Sequence, residues 1–573
     1  MNFAIEVMVI VMIKCVAKLM DRLKNITIVL LSFLELSFNP IEAIAQQPNF
    51  VFYLADDQDM LDYGCYGNPM VHTPAVDKLA SEGMKFNRAF TAQAICSPSR
   101  SQLYTGKYPL KNGCYVNHYS TYEQTKSITH YLKALGYDVI LAGKSHVGPD
   151  KVFDWTYYFE DEPNDSIGPH SGIPLKKIQN YLDTVTRPFC MFITSHYPHG
   201  PYPKSTSYNH QDIYPLPYTN NANWRVGYYE NIKTDNYMLS VILNMIDTDD
   251  KSENTVFVYS SDHGINGKFT VSEAGLRIPM IVRWPGKVKA GSISNAMVHM
   301  TDILPTFLEI AGGETPSDID GKSFLPVLRG EKDSHHDYVY GVAHKQNTQH
   351  TYIFPSRMIR GEKYKYIMNT NAQDALNNNL GTDQAVNIFI RQGANWQPEK
   401  PFEELYDVQN DPWEKNNLAD RADFDSIKNE MSERLKAWLT EQEDFILDYP
   451  APVLWANLHT LDKTTTFNKI PPEMEGILSN SDLYRHYPEK ASFAPRNLRA
   501  ELLSSNRVKL SWTPSIYNKG VVGYQIILND EIIEVVKSNT TVINYSQGVK
   551  VQVFVRAVNN SGQVSKLSAP IDI

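Results

Sequence analysis

Continuous apolar runs recur along the chain between residues 49 and 310. The first run, from Asn49 to Ala55, has the pattern of a strand that is buried on both faces. Three later runs repeat this pattern, at residues 137–142, 189–194 and 255–260. Strands of this kind are typical of parallel sheets that helices cover on each side, so the runs predict an α/β domain.

Amphipathic stretches separate these runs. Thr73 and Pro74 have the residue types of an N-cap and a first helical residue, and Gly83 predicts the end of that helix. A second stretch begins at Ile128 and ends before Gly136, with apolar residues at helical spacing. The alternation of strands and helices predicts that the central sheet is mostly parallel.

The pattern changes after about residue 350. Residues 357–367 predict a hairpin around Gly361, and a short strand at 404–408 follows it. A helix near 425–440 completes a smaller α+β region. Residues 441–490 show little periodicity, and we interpret them as a packed extension or a linker.

Alternating apolar and polar residues characterise the end of the chain. The stretches at 508–512, 522–527 and 549–558 predict an all-β sandwich of about 80 residues. Together these changes of pattern predict four segments: a signal peptide region at 1–45, an α/β domain at 46–345, a smaller subdomain with a linker at 346–490, and the sandwich at 491–573.

The first 45 residues have the order of parts found in a signal peptide. A charged start at 20–24 precedes an apolar stretch at 26–33, and Ala43-Ile44-Ala45 offers a cleavage site. The apolar stretch at 4–13 lies outside this pattern, so we expect translation to start at Met20. Neither stretch approaches the roughly 20 apolar residues that span a membrane. The sequence therefore predicts an exported protein, periplasmic or secreted, with no stable membrane anchor.

Composition narrows the function classes further. Among 573 residues, 54 Lys and Arg stand against 64 Asp and Glu, which gives a net charge of -10. This mild acidity, without a long basic run, argues against a nucleic-acid partner. The chain holds 5 Cys, too few for a disulfide framework in a chain of this length.

Polar residues of chemical interest follow the predicted buried strands. Asp56 and Asp57 come after the first strand, and Asp262 and His263 come after the strand at 255–260. Ligands of open α/β sheets bind at the carboxyl ends of the strands. Three carboxylates and an imidazole from two strands suit a hard divalent cation such as calcium or magnesium.

Cys96 opens the most informative motif, Cys96-Ser-Pro-Ser-Arg100 followed by Thr105-Gly106. Pro98 and the polar residues before it predict a helix N-terminus, where backbone N–H groups favour an anion and lower the pKa of a thiol. Cys96 is therefore a candidate nucleophile. The motif resembles that of the type I sulfatases, whose cysteine a maturation enzyme oxidises to formylglycine.

Further segments resemble the same family, in the expected order and over roughly residues 48–420. They are Gly143-Lys144-Ser145-His146, His196-Tyr197-Pro198-His199, Asp262-His263-Gly264 with Lys268, Glu273–Pro279, and Leu405-Tyr406-Asp407 with Asp411, Glu414 and Asn417. The sequence of residues 143–149 is most similar to that of the N-sulfoglucosamine sulfohydrolases. His263 stands where many members have asparagine, and an imidazole nitrogen can also bind the metal. The sandwich at 491–573 resembles fibronectin type III, with Val551 where that fold usually has a tyrosine.

The resemblance implies an alkaline-phosphatase-like catalytic domain with one Ca²⁺ per chain and formylglycine at position 96. The implied metal ligands are Asp56, Asp57, Cys96 (as formylglycine), Asp262 and His263. Cys96 would supply the nucleophile and Arg100 would orient it. Lys144, Lys268 and the helix N-terminus would stabilise the sulfate oxygens. His146 would take a proton when sulfate leaves, and His199 or Lys268 would protonate the departing sugar oxygen. For His196, a purely structural role is the alternative to a role in the active site.

The resemblance further implies that the chain hydrolyses sulfate esters of a sulfated carbohydrate, an algal glycan such as ulvan or a glycosaminoglycan. Its partners would then be that carbohydrate and a formylglycine-generating maturation enzyme. Three alternatives remain open: N-sulfate hydrolysis, a phosphate or phosphonate monoester hydrolase with the same metal site, and a carbohydrate-binding or adhesive protein with an inactive site. The last would predict the loss of a catalytic group, and the sequence retains all of them.

Overall fold

A computed structural model of the chain describes residues 2–35, 47–162, 172–205, 207–216, 224–248, 251–344, 354–370, 400–444, 495–514, 521–546, 548, 550–559, 564–565, 567–568 and 570–573. The chain divides into two units, Met1–Gln47 and Pro48–Ile573. In the first unit, one helix, α1, covers Asn2–Glu35. No helix among the described residues is long and apolar enough to cross a membrane. Export stays a prediction.

The second unit contains the remaining helices and all strands of the described residues. The helices are α2 (Pro74–Glu82), α3 (Cys96–Thr105), α4 (Pro109–Asn112), α5 (Ile128–Ala134), α6 (Leu175–Thr184), α7 (Trp224–Asp247), α8 (Glu273–Leu276), α9 (Ile303–Ile310), α10 (Leu325–Leu328) and α11 (Asp425–Glu441). The strands of the central sheet are β1 (Asn49–Asp56), β2 (Met84–Phe90), β3 (Asp138–Gly143), β4 (Tyr157–Phe159), β5 (Phe189–Pro198), β6 (Thr255–Ser261), β7 (Arg277–Arg283), β8 (Ser292–Ser294) and β9 (Val298–His299).

The central sheet has the strand order β4-β3-β5-β1-β6-β7-β2-β8, and β9 pairs with β2. β1 lies in the middle and runs parallel to both β5 and β6. β3 runs parallel to β5 and β4. β7 runs antiparallel to both of its neighbours, β6 and β2. The predicted mostly parallel sheet of an α/β domain is therefore confirmed.

Every residue of β1 is buried, as its continuous apolar run predicts. Phe50 packs on one face of the sheet, where its ring stacks on Phe307 of α9 with centroids 4.4 Å apart. Val51 and Tyr53 belong to the core on the opposite face, with Met238 of α7. Each fully buried side chain of this kind stabilises the fold by about 1.5–3 kcal/mol. The two cores hold the carboxyl end of β1 rigidly.

The helix predicted after Thr73 is present, but its N-terminus differs in detail from the prediction. Thr73 occupies the N-cap position of α2, and its side chain makes no capping hydrogen bond. Its Oγ1 instead accepts the backbone N–H of Gly64 at 2.9 Å. The Thr73 hydroxyl therefore accepts a hydrogen bond from Gly64 instead of capping α2, a contact that the local N-cap pattern does not predict.

The smaller α+β region is a four-stranded antiparallel sheet, β10 (Val339–Ala343), β11 (Ser356–Arg360), β12 (Tyr364–Asn369) and β13 (Glu403–Asp407). The predicted hairpin around Gly361 joins β11 to β12, with Arg360 opposite Lys365. Leu435 and Leu439 of α11 share a core with this sheet. Most of the stretch 441–490, predicted as an extension or linker, lies outside the described residues.

Seven strands of the described residues form the C-terminal region. They are β14 (Arg496–Ser504), β15 (Arg507–Thr513), β16 (Val521–Leu528), β17 (Glu531–Val536), β18 (Thr540–Asn544), β19 (Gln552–Asn559) and β20 (Ile571–Asp572). The sheets β14-β15-β18 and β17-β16-β19-β20 share one core that contains Trp512, Tyr524 and Val551. The predicted all-β sandwich is confirmed. Its relation to fibronectin type III stays a prediction.

Candidate active site

The parallel pairing of β1 and β6 brings the two predicted acidic pairs together. Ala55 lies opposite Ser261 in this pairing, so the residues that follow each strand are neighbours. Asp262 continues the contact, because its N–H donates to the Ala55 carbonyl at 3.1 Å. The Asp57 N–H then donates to Asp262 Oδ1 at 3.0 Å, with Asp57 in the left-handed region at φ 68°. This local turn points both acidic pairs at one place.

Cys96 lies beside these acids as the first residue of α3. Its side chain is 2% exposed, and its Sγ lies 3.8 Å from Asp56 Oδ1 and 3.6 Å from His263 Nε2. The helix start is held in place by Ser99, whose hydroxyl donates to the Asp262 carbonyl at 2.7 Å. The predicted helix N-terminus and the predicted cation site are therefore one site.

Three cations balance the three buried carboxylates. Arg100 is fully buried, and its Nη2 lies 3.2 Å from both Asp56 Oδ1 and Asp262 Oδ2. Lys144 Nζ lies 2.6 Å from Asp56 Oδ2. Lys268 Nζ lies 2.7 Å from Asp57 Oδ2. Charged groups this far from water are stable only when they are paired, so each cation also has a structural role.

Burial and charge shift the pKa values of this cluster in opposite directions. Burial raises the pKa of Asp56, but Lys144 and Arg100 outweigh it and hold that pKa well below its usual range. Burial prevails at Asp262, whose pKa is raised. Burial lowers the pKa of His263, but the carboxylates of Asp262 and Asp57 outweigh it and raise the value to about 9. A divalent cation bound here would replace that attraction and favour the neutral, ligating imidazole.

The donor atoms fit a metal ion. Atoms of Asp57, Cys96 and His263 lie within 4.8 Å of one another, and so do atoms of Asp56, Cys96 and Asp262. Carboxylate oxygens dominate this set, as Ca²⁺ and Mg²⁺ prefer. Two buried nitrogens near position 96, His146 Nδ1 and Arg100 Nε, have no hydrogen-bond partner within the described residues. Extra oxygen atoms at position 96, where a cysteine has a single sulfur, are compatible with these unpaired nitrogens.

A cavity of about 710 Å³ opens above Cys96. Lys144, His146, His199 and Lys268, all predicted from the sequence, line it together. Burial, Lys144 and His118 lower the pKa of His146 well below its usual value, so its imidazole is neutral. His199 Nδ1 donates to the Gly200 carbonyl at 2.6 Å, and His199 Nε2 lies 3.6 Å from Asp57 Oδ2.

Sequence reasoning missed several lining residues. The Nδ1 atom of His118 lies 2.9 Å from His146 Nε2, and the backbone N–H of His118 donates to Ser97 Oγ at 3.0 Å. Asp161 lies with Oδ2 2.5 Å from Nε2 of His196, the histidine with a possible structural role. His118 and Asp161 belong to no motif that was singled out, and His118 has φ 64°, which no local pattern predicts.

The predicted motif residues Glu273 and Glu414 lie outside the lining of this cavity. Glu273 and Glu414 are bridged by Lys365, whose Nζ lies 2.7 Å from Glu414 Oε1 and 3.4 Å from Glu273 Oε1. The Glu273 N–H donates to Glu414 Oε2 at 2.8 Å. These contacts join the α/β domain to the antiparallel sheet, which is a structural role.

The chain is similar to known proteins over most of its length. A family profile described as Sulfatase matches residues 48–313, and one described as N-sulphoglucosamine sulphohydrolase, C-terminal, matches residues 261–380. The chain is 48% identical over 452 residues to an ulvan-active sulfatase of Formosa agariphila, covering 77% of this chain and 90% of that protein. It is 25% identical over 471 residues to the human N-sulphoglucosamine sulphohydrolase, covering 70% of this chain and 91% of that protein.

A solved structure of a protein in complex with its substrate, D-glucosamine-2-N,6-O-disulfate, has the same fold. Its TM-score is 0.57 at 20% sequence identity, and the match covers 70% of this chain and 99% of that chain.

Proposed function

The chain belongs to the sulfatase family, and we propose that it hydrolyses sulfate esters of a sulfated glycan, with formylglycine at position 96 and one Ca²⁺. The observation that carries this proposal is Cys96 at the start of α3, at the floor of a cavity lined by Lys144 and Lys268. Cations and a helix N-terminus around one nucleophile position favour an anionic group such as a sulfate ester.

Asp56, Asp57, Asp262 and His263 would hold the Ca²⁺, together with an oxygen of formylglycine at position 96. When bound, the metal and the modified residue would supply a hydroxyl nucleophile of lowered pKa and would stabilise charge on the sulfate oxygens. Arg100 bridges Asp56 and Asp262 and so fixes the side of the site that faces α3. Replacing Asp56 or Asp57 would leave Lys144 or Lys268 without its carboxylate partner, whereas Arg100 would keep Asp56 if Asp262 were replaced.

The lysines and histidines that line the cavity would stabilise the sulfate oxygens and transfer protons. Lys144 and Lys268 carry positive charge to the cavity floor and would stabilise the sulfate oxygens. Both contacts of the Lys268 ammonium to Asp57, at 2.7 and 3.0 Å, keep it in place. The Nδ1–H of His199 is engaged by Gly200, so Nε2 is the atom that would hold a proton for the departing sugar oxygen.

His146 is the residue that would accept a proton when sulfate is released. Its ring is buried and neutral, and its Nδ1 has no hydrogen-bond partner among the described residues. A neutral imidazole with an unpaired nitrogen can act as a base, because the lone pair is available at neutral pH.

For the substrate, we propose ulvan or a related algal polysaccharide. The relative at 48% identity is described as ulvan-active, and it is covered over 90% of its length. N-sulfate hydrolysis is the second candidate, because the profile that matches residues 261–380 is that of the N-sulphoglucosamine sulphohydrolases.

The test is sulfate release from defined oligosaccharides by protein co-expressed with a maturation enzyme. The panel contains ulvan oligosaccharides, O-sulfated glycosaminoglycan fragments and N-sulfoglucosamine, with Cys96→Ala as the inactive control. We expect release from an O-sulfated glycan. Protein that carries formylglycine and releases sulfate from none of the O-sulfated glycans would contradict the proposal, and release from N-sulfoglucosamine alone would favour the second candidate.

We also propose that the protein is exported and that the chain divides at residues 45, 345 and 490. A polysaccharide substrate would be met outside the cytoplasm, which supports export. N-terminal sequencing of the mature protein should then begin at Gln46, after the Ala43-Ile44-Ala45 site.

A further inference from the structure

Three side chains on one side of the cavity have no part in the chemistry proposed above. They are Tyr158, Asp161 and His196, and we call them the outer wall. Tyr158 belongs to β4, where it pairs with Leu141 of β3. His196 belongs to β5, which is the other neighbour of β3. The outer wall therefore stands at the same carboxyl edge of the sheet as Cys96, where ligands of α/β sheets bind.

Asp161 is held in one orientation and presents part of its carboxylate to the cavity. Its Oδ2 lies 2.5 Å from His196 Nε2, a contact that fixes the carboxylate. Its Oδ1 is buried, but the side chain as a whole is 23% exposed, so the carboxylate meets the cavity through its Oδ2 side. A carboxylate oxygen has more than one lone pair, so Oδ2 can accept a second hydrogen bond beside His196. A hydroxyl group of a ligand in the cavity would donate to it.

Tyr158 adds an apolar surface beside this carboxylate. Its side chain is 44% exposed and lines the cavity. The preceding residue, Tyr157, is equally exposed at 47% but packs against Phe159 and Tyr181 and does not line the cavity. An exposed ring next to a fixed acceptor matches a sugar, which presents a C–H face and hydroxyl edges.

Charge separates the outer wall from the floor of the cavity. Lys144 and Lys268 make the floor attractive to an anion. The Asp161 carboxylate repels a sulfate or carboxylate that approaches it within a few ångströms, because the cavity screens charge less than bulk water does. A substrate therefore binds with its sulfate on the floor and an uncharged, hydroxyl-bearing part at the outer wall.

Resting on the proposed function, we propose that the outer wall is a sugar-binding subsite. It takes an unsulfated, hydroxyl-bearing face of the glycan, with a hydroxyl donating to the Asp161 carboxylate and the ring lying on Tyr158. The subsite binds substrate without reacting with it, and it discriminates against glycans that carry a second anionic group at this position.

Calorimetry in the Cys96→Ala background tests this subsite without turnover. The probes are ulvan oligosaccharides and inorganic sulfate, which needs only the cavity floor. We expect Tyr158→Ala and Asp161→Ala each to weaken oligosaccharide binding by about ten-fold or more, since the first removes the ring surface and the second removes every acceptor for the hydroxyl. Binding of inorganic sulfate should change by less than about two-fold, because the anion contacts the floor.

Two matched variants serve as controls. Tyr158→Phe keeps the ring and should bind oligosaccharide like the parent protein, while Tyr157→Ala removes an equally exposed ring outside the cavity. Equal weakening of oligosaccharide and sulfate binding, or weakening by Tyr157→Ala as large as by Tyr158→Ala, would overturn the subsite. Unchanged oligosaccharide binding in both outer-wall variants would overturn it as well. Sulfate release by the unmutated enzyme is measured separately, so a failure of the proposed function is recognised on its own.

Discussion

Replacing Asp262 by asparagine removes one charge from the centre of the site and keeps the shape of the side chain. Asp262 is fully buried. Its Oδ1 accepts the N–H groups of Asp57 at 3.0 Å and His263 at 2.9 Å, and its Oδ2 lies 3.2 Å from Arg100 Nη2. The amide oxygen can keep the two backbone contacts. The amide NH₂ group then faces the Arg100 guanidinium, donor against donor.

Two effects of this substitution can be separated by size. Breaking a buried ion pair costs roughly 3–5 kcal/mol, but Arg100 keeps Asp56, and the raised pKa of Asp262 shows that burial opposes its charge. We therefore expect a loss of no more than roughly 2 kcal/mol in the free energy of unfolding of the metal-free protein. The loss of an anionic ligand should weaken calcium binding and activity by about 100-fold, the upper end of the effect that supporting residues alone have on metal sites.

Unfolding at two calcium concentrations measures both effects. At a free calcium concentration 100 times its dissociation constant, the unmutated protein gains about 2.7 kcal/mol from the ion. At the same concentration, a 100-fold weaker variant gains only about 0.4 kcal/mol. Metal content after dialysis and sulfate release from the oligosaccharide complete the assay.

Asp59→Asn is the matched control for this experiment. Asp59 is buried and lies two residues after Asp57. Its carboxylate accepts the backbone N–H of Asn266 at 3.2 Å and is not paired with Arg100, Lys144 or Lys268. This variant should bind calcium like the unmutated protein. One tightly bound calcium and near-normal turnover in Asp262→Asn would refute the assignment of Asp262 as a ligand.

Four further predictions follow from the same structure. Mass spectrometry of the peptide around residue 96 should find formylglycine in active protein; full activity with unmodified Cys96 would exclude the proposed nucleophile. His118→Gly should lower kcat by about 10-fold or more and shift the pH profile of kcat, as the loss of a residue that orients a catalytic group does. His118→Asn tolerates the left-handed backbone and keeps a polar group, so it should retain more activity; equal losses in the two variants would indicate a structural role. Burial raises the pKa of Asp235 to about 7, above its unfolded value, so the free energy of unfolding should fall by about 3 kcal/mol as pH rises from 4 to 7. Asp235→Asn can still accept the Tyr53 hydroxyl and should flatten that dependence, whereas an unchanged pH dependence of unfolding would contradict this. Truncation near residue 490 should leave turnover on a sulfated disaccharide intact, because domain interfaces of this kind are modest; an equal loss on disaccharide and polymer would show that residues 491–573 are not independent.

Much of the fold and of the reaction centre was predictable from local patterns. The continuous apolar run at β1 and the similar run at β6 predicted buried strands, and strands that are buried on both faces run parallel with helices around them. Acids directly after such strands must meet at one edge of the sheet when the strands are neighbours. Cys96 was equally accessible to sequence reasoning, because its motif marks the helix start on which it lies.

The contacts that complete the site depend on tertiary structure instead. His118 meets His146 across 28 residues, and Asp161 meets His196 across 35, and neither pairing follows from a pattern of a few residues. Arg100 had a predicted role in orienting the nucleophile, and its position between Asp56 and Asp262 appears only when β1, β6 and α3 are packed together. Sequence patterns report the local backbone and the buried face of each element. The distance between two side chains is set by the order of the strands and by left-handed turns such as those at Asp57 and His118, and these are decided by the packing of the whole domain.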